Sequence, residues 1–109
     1  MDQGNGVRPM DVRDAEQVGE LESICFSEPW SLPLIVSGLN SRLDTYFVYE
    51  KDGKILGYSV VRILADEGEI QRIAVLPAYR RQGIARKLMD AMMIFARKRG
   101  VRAVALEVR

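Results

Sequence analysis

An apolar run, Ile73-Ala74-Val75-Leu76, stops at Pro77, and an arginine-rich turn then carries the chain to Gly83, where a long amphipathic helix opens. This order constrains the fold more than any other stretch. A strand that feeds a helix returns to its sheet by a crossover, so the next strand lies parallel to the first. Over residues 83–99, Ile84, Leu88, Met92 and Phe95 recur at helical spacing, and Gly100 sits just past the end. Residues 103–108 alternate as the returning strand. The turn also aims backbone N–H groups and the positive end of the helix dipole at one spot, at the carboxyl end of a strand. Such a spot suits a phosphate.

The remaining pattern fills in one domain over residues 1–109. Residues 1–6 are polar and expected to be flexible, and residues 7–10 form a short strand. Asp14 can cap a helix to about Cys25, with Val18, Leu21, Ile24 and Cys25 on one face. After a loop from Phe26 to Trp30, Ser31 can cap a second helix, since Pro33 in a first turn costs little. Residues 45–50 read as a strand, 51–54 as a hairpin turn and 55–64 as the returning strand. Residues 65–68 make a second turn before a strand over 69–76. The expected class is α/β, a mixed and mostly antiparallel sheet flanked by helices, in the order β-α-α-β-β-β-α-β.

The inventory of side chains excludes much. With no histidine, neither a Ser-His-Asp nor a Cys-His pair can form. Imidazole-based or multi-thiolate zinc sites are excluded too, so no metal is expected. A net charge of +1 gives no bulk attraction to nucleic acid or a membrane. No apolar run approaches the ~18 residues of a membrane span. Cys25 is the only cysteine, and a cytoplasmic setting is the expectation. Chemistry must run on carboxylates, tyrosines, cations and backbone amides, which suits catalysis by positioning.

The turn is neither GxxxxGK[ST] nor GxGxxG. It is RxxGxA, from Arg80 to Ala85. Gly83 lets the backbone approach a ligand closely, Ala85 keeps the first helical turn narrow, and Arg80, Arg81 and Arg86 supply charge. By themselves these arginines are either solvated surface or the walls of an anion site. Cations oppose the dipole at a helix N-terminus, and three of them there favour the anion.

The stretch from Glu69 through Ile70-Gln71-Arg72-Ile73-Ala74-Val75-Leu76-Pro77-Ala78-Tyr79-Arg80-Arg81-Gln82-Gly83-Ile84-Ala85 closely resembles the acetyl-CoA signature of the GNAT superfamily of N-acetyltransferases. The ending Leu106-Glu107-Val108-Arg109 and the loop from Phe26 to Trp30 look most like its ribosomal-protein-alanine N-acetyltransferase (RimI) branch. The resemblance implies the GNAT fold and acetyl-CoA as co-substrate. The backbone of Ile73, Ala74 and Val75 would pair with the pantetheine arm. That strand would be bulged, and a freed N–H would face the thioester oxygen. The N–H groups of Arg81, Gln82, Gly83, Ile84 and Ala85 would hold the pyrophosphate, with Arg86 beside it.

Glu107 shares a strand face with Ala103 and Ala105, while Val104, Leu106 and Val108 share the other. A carboxylate beside two alanines has room in front of it. Its alternative is a solvated position near the end of the sequence. The resemblance makes Glu107 the general base. An α-amine with a pKa of roughly 8 is partly protonated at neutral pH and must lose a proton to attack. Phe26 and Trp30 either line a peptide mouth or pin their loop to the core. Glu67 and Glu69 either assist the base or are solvated.

Family members continue beyond the point matching Arg109 through another helix and two strands. Those carry an asparagine that contacts the cofactor and a tyrosine that protonates the departing thiolate. The residues present are therefore expected to bind acetyl-CoA with weak or no turnover. An open strand edge would remain, which a second chain could complete as a dimer. The implied activity is transfer of acetyl from acetyl-CoA to a protein N-terminal α-amine, with a ribosomal-protein alanine favoured, by direct attack in a ternary complex. Two alternatives are a lysine or small-molecule amine as acceptor, and a non-catalytic acyl-CoA-binding module.

Overall fold

The computed structural model describes residues 5–106. One sheet holds five strands in the order β1-β2-β3-β4-β5: β1 (Gly6–Pro9), β2 (Asp44–Lys51), β3 (Lys54–Leu64), β4 (Glu67–Val75) and β5 (Ala103–Leu106). Helices α1 (Ala15–Cys25) and α2 (Leu32–Leu39) link β1 to β2, and α3 (Ile84–Lys98) links β4 to β5. The first four strands pair antiparallel, and β5 joins β4 in parallel, as a helical crossover requires.

The sheet is covered on both faces. Val18, Leu21 and Ile35 of α1 and α2 pack on Tyr46, Val48, Tyr58 and Val60. Ile84, Leu88 and Met92 of α3 pack on Phe47, Leu56, Val61 and Ile70 of the other face. Alternation along β2 is what sends Tyr46 and Val48 one way and Phe47 the other. Close seating of α3 needs Gly57. A Cβ there would stand 2.8 Å from the Ala74 carbonyl oxygen and 3.2 Å from both Ile84 and Leu88 side chains. The β2–β3 hairpin turns at Asp52 (φ 51°) and Gly53 (φ 80°), the pair of left-handed residues a tight two-residue turn wants.

Several local expectations shift. Residues 1–4 lie outside the described residues, but Gly6 already pairs with Glu50, and the Asn5 side-chain carbonyl accepts from the Asp52 N–H at 2.8 Å. Asp14 does not cap α1 with its side chain. Asp11 instead opens a 3₁₀ turn, Val12–Asp14, with a reciprocal capping box. Asp14 is spent on Arg8, whose guanidinium grips both its oxygens at 2.8 and 2.9 Å and reaches Glu50 at 2.7 Å. That hydrogen-bonded cation holds the Asp14 carboxyl below the usual carboxylate range. Ile24 points outward, 58% exposed, because α1 buries Glu22 instead. Strand β4 begins at Glu67, two residues early, the turn being confined to Ala65 and Asp66. Ser31 caps α2 as expected, accepting from the Leu34 N–H at 3.3 Å.

Ser59 is fully buried in β3, and its hydroxyl has no partner among the described residues. Replacing one such orphaned hydroxyl by hydrogen removes a desolvation cost of about 1–3 kcal/mol. Ser59→Ala is expected to raise stability by about 1 kcal/mol in denaturant unfolding; a loss would mean that the hydroxyl is satisfied after all. Among the described residues, no helix is long and apolar enough to cross a membrane.

Candidate active site

The site lies where β4 stops being paired on both sides. Up to Ile70, β4 runs between β3 and β5. Gln71 is then an extra residue, since Val60 pairs with Arg72 while Val61 pairs with Ile70. This bulge bends β4 away, just ahead of Ile73-Ala74-Val75. Past it, no described strand pairs with the outer edge. The Leu76 N–H donates to the Leu56 carbonyl at 2.9 Å. Antiparallel alternation then turns the polar groups of Ala74 toward β3 and leaves those of Ile73 and Val75 on the open edge.

A 3₁₀ turn, Pro77–Tyr79, leads from β4 toward α3. Arg81 (φ 66°) and Gly83 (φ 82°) are both left-handed, which curls successive N–H groups toward one concavity. The first backbone bond of the helix runs from Lys87 N–H to the Gly83 carbonyl, at 3.1 Å. The N–H groups of Gly83, Ile84, Ala85 and Arg86 therefore point out of the helix mouth. The Ile84 side chain is buried under the sheet, whereas Arg81, Gln82, Ala85 and Arg86 are exposed. A channel of about 290 Å³ joins the mouth to the open edge, lined by Cys25, Phe26, Ile73, Ala74, Val75, Arg80 and Ala85.

Arg80 departs from expectation. Its Nε donates to the Val75 carbonyl at 3.0 Å, and its Nη2 is 3.8 Å from Cys25 Sγ. It lies along the strand edge rather than at the helix mouth, where the dipole repels a cation. It thus holds one lone pair of an acceptor on the open edge. Glu107 lies outside the described residues. The β5 register sets Ala105 opposite Glu69, which is half-buried and accepts from the Gln71 side chain. Glu67 is exposed.

Sequence reasoning missed a buried ionic cluster beside the bulge. Glu22 is fully buried and accepts from the Trp30 N–H at 2.7 Å, from Arg72 at 3.0 and 3.1 Å, and from the Tyr58 hydroxyl. Burial, and then that bond to Glu22, push Tyr58 far above the ordinary phenol range, so it stays a donor. The Arg72 guanidinium is sandwiched between the rings of Phe26 at 4.0 Å and Trp30 at 4.4 Å. Both aromatics thus pack on Arg72. The available signal was a carboxylate on the apolar side of α1 and an arginine in an apolar strand.

A fold with an opened strand edge beside a bare helix mouth can be compared with known proteins. The profile of the acetyltransferase (GNAT) family matches residues 15–109. The chain belongs to the GNAT acetyltransferase family. The GNAT match agrees with its relatives. The [ribosomal protein bS18]-alanine N-acetyltransferase of Escherichia coli K12 is 30% identical over 96% of this chain and 70% of its own length. A Bacillus subtilis protein provisionally given the same name is 33% identical over 94% of this chain and 69% of its own. The crystal structure of the E. coli ribosomal-protein-S18-alanine N-acetyltransferase superposes with a TM-score of 0.85 at 28% identity, covering 94% of this chain and 66% of that one. The chain thus spans about two thirds of the length of these GNAT relatives.

Proposed function

We propose that this GNAT chain serves transfer of the acetyl group of acetyl-CoA to a protein N-terminal α-amine, with the N-terminal alanine of a ribosomal protein as the favoured acceptor. The observation that carries the reading is the open edge of β4 meeting the bare mouth of α3. The residues fit the co-substrate: unpaired N–H groups and arginines for a diphosphate, an apolar channel for an extended arm. The identity to bS18-alanine enzymes supports the acceptor class.

Acetyl-CoA would supply the acetyl group as an activated thioester. The N–H and C=O groups of Ile73 and Val75 would hold its pantetheine arm as an added strand, with Ala74 between them. The N–H groups of Arg81, Gln82, Gly83, Ile84 and Ala85 would hold the pyrophosphate, with Arg86 nearby. The Val75 carbonyl already accepts from both Arg80 Nε at 3.0 Å and Cys25 Sγ at 3.5 Å, so one of these donors would swing aside for the arm. Glu107 would take the proton from the acceptor amine, directly or through water.

Coenzyme A is expected to protect the chain against heat, and acetyl transfer to free-N-terminal peptides to exceed transfer to N-blocked, lysine-bearing ones. Against whatever turnover the parent chain shows, Glu107→Gln is expected to lower kcat by ~10²–10⁴-fold, to below detection where the parent is weak, while heat protection by coenzyme A persists. Unchanged rates would remove Glu107 as base, and absence of heat protection would overturn the cradle.

A further inference from the structure

A second recess lies across the bulge from the cofactor channel. It has a volume of about 300 Å³ and is lined by Trp30, Leu34, Gly38, Tyr46, Val60 and Gln71, with Asp44 and Arg62 at its rim. The Phe26–Arg72–Trp30 stack is the partition between the two spaces. Phe26 faces the channel, Trp30 faces the recess, and Arg72 fills the gap. Gln71, the bulge residue, lines the recess on the side where β4 leaves β5.

We propose that this recess is a specificity pocket for the acceptor, taking one uncharged side chain, apolar in its stem and polar at its tip, from the second or third residue of the peptide. The proposal rests on the N-terminal-amine reading above.

Three observations carry it. First, Tyr46 is only 5% exposed, its ring stacked on Tyr58 at 6.3 Å, yet its hydroxyl makes no hydrogen bond to a described residue. Among the described residues only the Ser59 hydroxyl is both buried and without a partner, so the Tyr46 hydroxyl opens onto the recess and stands there as a donor free to meet a ligand. Second, Gly38 is what lets that hydroxyl lie at the wall of the recess. A Cβ on Gly38 would run into that hydroxyl. Third, the rim is electrically closed. Arg62 grips Asp44 through two bonds, at 2.8 and 3.1 Å, leaving no spare charge to reward a charged side chain. Leu34, Val60 and the Trp30 ring would contact the stem. Burial, with Asp44 nearby, pushes the Tyr46 hydroxyl up to about 12, so it remains a neutral donor at physiological pH.

Trp30 is the only tryptophan, so its emission reports on this recess. The full chain with coenzyme A present would be titrated with free-N-terminal peptides carrying Gln, Leu, Glu or Lys at position two or three. The Gln peptide is expected to change Trp30 emission saturably and to bind at least fivefold more tightly than the other three. Tyr46→Phe deletes only the unpartnered hydroxyl, and heat protection by coenzyme A checks its fold. It is expected to bring the Gln-over-Leu ratio close to one. A preference that survives Tyr46→Phe, equal or tighter binding of the Leu or charged peptides, or no binding at all would overturn the pocket. Acetyl transfer measured on the same peptides separates the two readings. Acetylation indifferent to the side chain sinks the pocket alone. Tyr46-dependent binding with acetyl transfer confined to lysine or small-molecule amines sinks the acceptor assignment and keeps the pocket.

Discussion

Glu22→Ala is expected to cost about 3–5 kcal/mol of folding stability, the range for removing one partner of a buried ion pair. Glu22 has no exposed surface and is the acceptor for three separate groups: the Arg72 guanidinium, the Tyr58 hydroxyl and the Trp30 N–H. Alanine would strand the Tyr58 hydroxyl and the Trp30 N–H and leave Arg72 only its 3.3 Å bond to the Glu28 carbonyl. The Arg72 side chain is only 17% exposed and wedged between two rings, so water cannot easily replace the carboxylate. A domain of this size holds about 5–15 kcal/mol in total, so the loss is a large share of it. Chemical denaturation measures it. The double variant Glu22→Ala with Arg72→Leu should recover part of the loss, since it removes the unpaired charge as well. A single-variant loss below about 1 kcal/mol would show that solvent reaches the cluster.

Gly83→Val is expected to weaken coenzyme A binding by about ten- to a hundredfold, whereas Gly83→Asn should stay within about threefold. Space is not the reason, for a Cβ on Gly83 meets nothing within 4 Å. The reason is the backbone: φ is 82°, where a β-branched residue is strained by roughly 2 kcal/mol and asparagine much less. Valine can relax only by rotating the peptide planes on either side, and those planes carry the N–H groups aimed at the ligand. A loss of about 2 kcal/mol in aim corresponds to about thirtyfold in affinity. Calorimetric titration with coenzyme A measures both variants. Equal affinities would show that the phosphates are held by side chains, with Arg81 and Arg86 next in line.

How far each feature could be read from the sequence follows the range of the interaction behind it. Strand β4, the turn and α3 were legible because each is set within a few residues: apolar alternation, Pro77, Gly83 and Gly100. The Ser31 cap and the Asp52-Gly53 turn belong with them. Their energies are local hydrogen bonds and φ constraints, which a neighbouring segment hardly alters. The glycine-opened mouth of α3 was therefore visible before any fold was known. Asp14 does stand at the N-cap of α1, but its side chain makes no capping bond, because it had a better partner in Arg8, on another element. Ile24 was placed inward by period alone, and lost its place to a carboxylate.

Sequence alone determined the order of elements, the parallel crossover, the helix mouth and the family to which they belong. Tertiary structure decided the rest. Glu22 and Arg72 stand 50 residues apart, and nothing local to either announces the pair. Arg80 turns along the β4 edge because folding leaves an open carbonyl there. The Tyr46 recess takes its walls from α2, β2, β3 and β4, and exists only once α2 has settled on the sheet. Burial creates these features, by stripping water from polar groups whose new partners come from distant parts of the chain.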